Sequence, residues 1–338
     1  MPKIKENSAL LLDTLEINSD FSFQKKRETQ YHKAYRKHRT LSKLVKIIDV
    51  VSDKKKRTSY WKTYHCQNVI LQDGNNFNSS LCRKRWCTTC CRIKTAELTN
   101  AYKEPILNLG DLHFVTLTRP NVKGRELKSE VNKLKKSFSL IVDNLRKNYK
   151  IRINGLRKLE ITYNETTDTY HPHFHMIISD VNHAYALKEL WLKQFPTANH
   201  KGQDTRPICT KDDQSFIELF KYATKEITKS GNEYSGEVLH TIYESLSHGK
   251  IYQKYGTFKK LPKEPSEAKH ENSKFEWIES NDEIWIYDNS VIDYVNSSGE
   301  TLISYKPTNK KITKFESKWH EQKIPTEQTS NQHVSNYV

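Results

Sequence analysis

The sequence predicts an α+β fold built on a central antiparallel sheet, and three observations lead there. Lys158 to Tyr163 alternates, with Leu159, Ile161 and Tyr163 on one face and Lys158, Glu160 and Thr162 on the other, the period of a half-buried strand. Tyr170-His171-Pro172-His173-Phe174-His175-Met176-Ile177-Ile178 repeats that period, with the three histidines on one side and Phe174, Met176 and Ile178 on the other. Between the two, Asn164-Glu165-Thr166-Thr167-Asp168 is turn chemistry, so the segments pair as an antiparallel hairpin.

The other elements follow in order. Val115 and Leu117 alternate with Thr116 and Thr118 in a strand that Arg119-Pro120-Asn121 ends, because proline cannot extend a ladder. Leu127, Val131, Leu134, Phe138, Ile141 and Leu145 recur at helical spacing and predict a long helix over the apolar face of the sheet. Tyr185 to Phe195 reads as a second covering helix through Leu187, Leu190 and Trp191, stopped near Pro196, and Arg206 to Cys209 as a short strand. From Gln214 to Lys229, Phe216, Phe220, Ala223 and Ile227 form the apolar stripe of an amphipathic helix. A second stripe on it reads Glu218, Tyr222, Lys225, Lys229, so a carboxylate, a phenol and an ammonium stand one turn apart. The order strand, helix, strand, strand, helix, strand is that of a ferredoxin-like sheet.

The flanking regions divide by composition. Residues 1–58 form a basic arm with runs such as Lys25-Lys26-Arg27 and Lys54-Lys55-Lys56-Arg57. Within it, Phe23 to Val51 admits either a helix packed through Tyr31, Tyr35, Leu41, Leu44 and Val45, or a flexible arm that orders on DNA. Residues 60–100 are rich in cysteine, 110–260 hold the elements above, 261–305 form an accessory segment with a strand pair over Glu276 to Tyr287, and 306–338 are a polar, disordered tail.

Two side-chain clusters carry chemistry. His173 and His175 project in parallel from one strand and suit a divalent cation, and Glu160 on the facing strand falls opposite His173 or close to it, completing a His, His, Glu set. Five of the six cysteines are Cys66, Cys82, Cys87, Cys90 and Cys91. Cys87-x-x-Cys90 has zinc-knuckle spacing, and Cys66, Cys82, Cys87 and Cys90 are the candidate ligands of a structural zinc ion, with Cys91 or His65 as a substitute for one of them and free buried thiols as the alternative. Arg83, Arg85 and Arg92 lie among these thiols and, with Arg119 and Asn121 at the end of the first strand, are the candidate DNA contacts.

Together these features resemble the HUH endonuclease superfamily, and within it the rolling-circle replication initiators of small plasmids, over residues 60 to 260. The motifs that carry the resemblance are Phe114-Val115-Thr116-Leu117-Thr118-Arg119-Pro120-Asn121, His173-Phe174-His175 and Tyr222-Ala223-Thr224-Lys225. The resemblance implies a ferredoxin-like HUH domain that nicks the origin strand through Tyr222, leaving a 5'-phosphotyrosine and a free 3'-hydroxyl primer. It also implies a Mg2+ or Mn2+ ion at Glu160, His173 and His175, with Lys225 positioning the metal or phosphate or favouring the phenolate. Some such initiators use a second tyrosine to terminate, whereas here Glu218 stands four residues before Tyr222 and suits a general base for water. His171 stands one position too early for the ligand pair and is expected to support it or touch DNA. The alternatives are an HUH transposase or relaxase, and a non-catalytic, zinc-stapled DNA-binding protein. A helicase P-loop motif is absent, which argues against the larger enzymes that carry one.

Composition agrees with a polyanionic partner. Across 338 residues, 56 Lys plus Arg against 40 Asp plus Glu leave a formal charge of +16. The expected partner is origin DNA, single-stranded or as a hairpin, with recruitment of a host helicase and replication machinery through the tail left open. No apolar run has membrane-spanning length and Met1 to Leu11 lacks the apolar core of a signal peptide, so a cytoplasmic location without membrane contact is expected.

Overall fold

The structure, a computed structural model, describes residues 23–73, 76–208, 218–220, 226, 228, 231–247, 249–256 and 283–302. The fold is α+β with antiparallel sheets. In chain order the elements begin α1 (Phe23–Val50), α2 (Lys54–Trp61), β1 (Val69–Asp73), β2 (Asn76–Ser79), α3 (Thr88–Leu107), β3 (Leu112–Thr118), α4 (Gly124–Asn148) and β4 (Gly155–Asn164). They continue with β5 (Thr169–Ser179), α5 (Val181–Gln194), β6 (Asp204–Pro207), α6 (Gly236–Leu246), β7 (Tyr252–Tyr255), β8 (Glu283–Asp288) and β9 (Asp293–Val295). The chain divides into two compact units, Met1–Cys91 with Glu267–Val338, and Arg92–Ser266.

The first unit holds a four-stranded sheet in the order β2-β1-β8-β9, every neighbouring pair antiparallel. A short hairpin joins β1 to β2, whereas β1 pairs with β8 from the far end of the chain, Val69 facing Ile286. Of the two states open to residues 23–51, the structure shows the helix. Its buried face runs through Ala34, Lys37, Leu41, Leu44 and Ile48, the three-then-four spacing of a helix stripe. Val45 and Tyr35, expected to pack, are only half-buried.

The second unit is built on a five-stranded sheet in the order β6-β3-β5-β4-β7, again antiparallel throughout. The expected hairpin is β4 and β5, closed where Asn164 pairs with Thr169. Asn164 Oδ1 accepts from the backbone N–H of Thr166 and Thr167, and Asp168 takes a left-handed φ of 48°, a conformation Asp tolerates better than most residues. At the other end Gly155 lies so close to β5 that a Cβ there would stand 2.1 Å from the Ile177 carbonyl oxygen.

The apolar stripe foreseen for α4 is buried throughout, from Leu127 to Leu145. It covers one face of the sheet with α5, whose Trp191 donates from Nε1 to the Thr118 carbonyl. Arg157 is buried there between the rings of Phe138 and Phe174, with Nη2 on Gln253, and desolvation pulls its guanidinium below its ordinary value. The helix expected from Tyr185 starts earlier, at Val181, because Asp180 caps it by accepting from Asn182 and His183. The strand expected over 206–209 is β6, shifted to Asp204–Pro207.

Among the elements with no sequence expectation are α6, capped by Ser235 and buried through Val238, Leu239, Ile242 and Leu246, and β7, which extends the sheet beyond β4. No helix among the described residues is long and apolar enough to cross a membrane.

Candidate active site

The second sheet face divides along its length. At one end Phe114, Leu156 and Ile177 pack with Leu98, Tyr102 and Ile106 of α3 and with Leu219 and Phe220. At the other end the same face carries Thr116 and Thr118 of β3, Lys158 and Glu160 of β4, and His171, His173 and His175 of β5. The registers decide who meets whom: His173 lies between Thr118 and Glu160, and His175 between Thr116 and Lys158. The pairing of Glu160 with His173 is the one the alternating pattern predicts.

One ligand atom from each of Glu160, His173 and His175 lies within 4.8 Å of the others. His173 Nδ1 stands 2.9 Å from the His171 carbonyl oxygen, and because a carbonyl only accepts, Nδ1 carries the proton and Nε2 keeps its lone pair. His175 Nδ1 is 3.2 Å from Thr116 Oγ1. The two Nε2 atoms are 3.1 Å apart, and Glu160 Oε2 is 3.7 Å from that of His175. Two imidazole nitrogens and a carboxylate oxygen converge on one buried point, a donor set that fits a divalent cation. His171 stacks on the His173 ring at 4.9 Å and supports it with its carbonyl.

Lys158 has a place here that sequence reasoning did not assign. Its side chain is fully buried, with Nζ 2.7 Å from Glu160 Oε2 and donating to the Glu218 carbonyl at 3.1 Å. The signal was present, since Lys158 sits two residues before Glu160 on the same strand face. Residues 218–220 are helical, and Glu218 Oε1 reaches within 3.9 Å of His175 Nε2 while remaining 30% exposed to solvent. Tyr222 and Lys225 lie outside the described residues. At the end of β3, Arg119 is ion-paired with Glu130 and stacked 4.2 Å over Phe195, and Asn121 donates to Thr169 Oγ1 from an exposed position.

Residues 74–298, two thirds of the chain, match the Rep_1 family, described as replication protein. The chain belongs to that family. It is a plasmid replication initiator of the Rep family, as the three motifs led one to expect. A Protein rep of Staphylococcus aureus is 28% identical over 175 residues, covering 46% of this chain and 74% of the relative. A Bacillus Protein rep is 24% identical over 223 residues, 56% of this chain and 72% of its own. A third, from Lentilactobacillus hilgardii, is 24% identical over 252 residues, 68% and 76% respectively. No solved structure matches the chain.

The Rep match takes in Cys82, Cys87 and Cys90, and the first unit gathers these around Cys66. The Sγ of Cys66 is 3.5 Å from that of Cys90 and 3.6 Å from that of Cys87, and Cys82 is 3.7 Å from Cys90. Hydrogen bonding with Cys66 pulls the Cys82 and Cys87 thiols below their ordinary value, while the same network pushes Cys66 and Cys90 up. Cys91 turns away and donates to the Arg85 carbonyl. Beside the cluster, burial pulls Lys37 down to about 8, with Cys66, Cys87 and Cys82 opposing that shift. Arg83 is exposed, in a left-handed conformation with φ of 52°, and Arg92 follows Cys91 in α3.

Proposed function

We propose that this Rep-family initiator nicks its origin strand through Tyr222. The phenolic oxygen attacks the scissile phosphorus, the phosphorus–oxygen bond to the 3' side breaks, and the products are a 5'-phosphotyrosine and a 3'-hydroxyl primer. The phenol proton leaves with the help of Lys225 or solvent, and the 3' oxygen takes up a proton in turn. The phosphotyrosine conserves the bond for later rejoining. Glu160, His173 and His175 would hold a Mg2+ or Mn2+ ion, which when bound supplies positive charge to the scissile phosphate and orients it. The observation that carries this reading is the convergence of those three side chains on one buried point.

The chain's own groups prepare the site. Lys158 fixes the Glu160 carboxylate and ties it to the Glu218 backbone. Thr116 and the His171 carbonyl hold the two imidazoles with Nε2 toward the site. Glu218, beside His175, is placed to take a proton from water, so termination by hydrolysis in place of a second phosphotyrosine is part of the proposal. The order β6-β3-β5-β4, with α4 and α5 on one face, supports a ferredoxin-like HUH domain. Arg83, Arg85, Arg92, Arg119 and Asn121 are the proposed contacts to origin DNA, in keeping with the charge of +16.

The test is cleavage of a labelled origin oligonucleotide with Mn2+, with Mg2+ and with chelator, products run on a denaturing protein gel beside the Tyr222→Phe variant. A metal-dependent protein–DNA adduct that the variant lacks is the expected result. Retained binding with no nick or adduct under any metal, on an origin shown to support replication, overturns the enzyme reading in favour of a DNA-binding protein.

A further inference from the structure

We infer that Cys66, Cys82, Cys87 and Cys90 bind one zinc ion as four thiolates, and that the buried Lys37 ammonium is the resident counter-charge of that centre. This goes beyond the nicking reading and does not rest on it.

A tetrahedral zinc with four thiolates at about 2.3 Å places its sulfurs about 3.8 Å apart. The sulfur–sulfur separations of 3.5, 3.6 and 3.7 Å match that edge and are far longer than a disulfide of about 2.05 Å. Three backbone N–H groups point at the sulfurs: Cys82 to Cys66 at 3.3 Å, Arg83 to Cys90 at 3.2 Å, and Lys84 to Cys82 at 3.5 Å. Such donors stabilise thiolate, and the left-handed Arg83 aims one of them. Cys87 and Cys90 bracket the first turn of the 20-residue α3, whose N-terminus also favours negative charge.

Lys37 occupies a position of the buried α1 stripe where Ala34, Leu41, Leu44 and Ile48 are apolar, and it is 2% exposed. Its ammonium donates to the carbonyls of Tyr64 and Cys66 and lies 5.4 and 5.7 Å from the rings of Tyr64 and Tyr287. None of these groups is an anion. A buried cation among neutral groups is costly. Zinc with four thiolates carries a net charge of −2 and is the anion that makes sense of a lysine here. Four neutral thiols would leave that burial unexplained.

The experiment measures the full chain purified without chelator. One zinc per chain by elemental analysis is expected, together with the sulfur-to-metal charge-transfer and visible bands of tetrahedral thiolate-bound cobalt after exchange. These bands report sulfur ligation, so zinc held at the histidine site does not imitate them. Zinc without a thiolate band on exchange, iron in place of zinc, or free reaction of more than the two thiols outside the cluster, Cys91 and Cys209, in the native chain each overturn the inference. The Lys37→Met variant should release zinc to a competing chelator roughly 10-fold faster or more, the scale of outer-shell effects at metal sites, with Lys37→Arg nearer the parent. Equal release by parent and Lys37→Met overturns the counter-charge assignment. Because both readouts concern zinc, they stand or fall separately from any nicking result.

Discussion

Replacing Lys158 with methionine removes the ammonium that faces Glu160 at 2.7 Å, where the lysine side chain is 0% exposed and the glutamate 1%. Breaking a buried pair from one side costs about 3–5 kcal/mol, because the remaining charge stays out of water. With chelator present, Lys158→Met is therefore expected to unfold about 3 kcal/mol more easily than the parent. A divalent cation on Glu160, His173 and His175 would replace part of that lost charge. Ligand at about 100 times its Kd contributes about 2.7 kcal/mol, so saturating Mn2+ should return most of the loss, and should stabilise the variant more than the parent. Urea unfolding followed by tryptophan fluorescence, with chelator and with Mn2+, reads both effects. The double variant Lys158→Met with Glu160→Gln, which removes both charges, should be more stable in chelator than Lys158→Met alone. Equal stability of Lys158→Met and the parent in chelator, or equal stabilisation of both by Mn2+, would rule out this coupling between Lys158, Glu160 and the cation.

Further expectations concern the same sheet and its partner. Glu218→Gln should spare the first nick and abolish the terminating cleavage in a two-site origin assay; unchanged termination product would show that Glu218 does not activate water. Thr116→Val removes the hydroxyl beside His175 Nδ1 and should weaken Mn2+ binding about 10-fold or more, as loss of an orienting partner does, measured by calorimetry against the parent. Gly155→Ala forces a methyl to within 2.1 Å of the Ile177 carbonyl and should lower stability by about 1–3 kcal/mol in urea, as overpacking does. Binding to a duplex outside the origin should weaken steeply with salt, linear in log–log form, through release of counterions; a flat response would place the positive charge away from the DNA.

The hairpin and the triad were legible because a strand has a period of two and a short turn fixes register, so one alternation pattern determines both the face of Glu160 and its pairing with His173. The role of Lys158 was less legible. Periodicity places its Cβ on the site face, but whether its four-carbon stem turns toward a carboxylate or toward DNA depends on what covers that face. The stripe of α1 was obscured by Lys37, a charged residue at an apolar position that is read as polar unless the thiols beside it are known. For α6 the cap at Ser235 and the spacing of Val238, Leu239, Ile242 and Leu246 were there to be read. No local pattern announces β7 or the pairing of β1 with β8. Tyr252–Tyr255 becomes a strand because β4 offers it an edge, and Val69 meets Ile286 across more than two hundred residues.

The division of the site face explains how a carboxylate from a later segment comes to stand beside the proposed ligands on the sheet. Leu219 and Phe220 are fully buried with Tyr102, Ile106 and Tyr252, and the Tyr252 hydroxyl donates to the Phe220 carbonyl at 3.1 Å. Next to them Lys158 Nζ holds the Glu218 carbonyl. Apolar packing and two hydrogen bonds to the backbone therefore set residues 218–220 against β4 and β7. Glu160 sits on β4 and His173 and His175 on β5, paired strands that each have a neighbour on both sides, so their spacing is set by the ladder. It follows that the proposed ligand triad and residues 218–220 are positioned by separate forces. Chelation should strip the cation from the triad without moving Glu218, whereas trimming Phe220 to alanine should displace Glu218 and leave metal affinity close to the parent value.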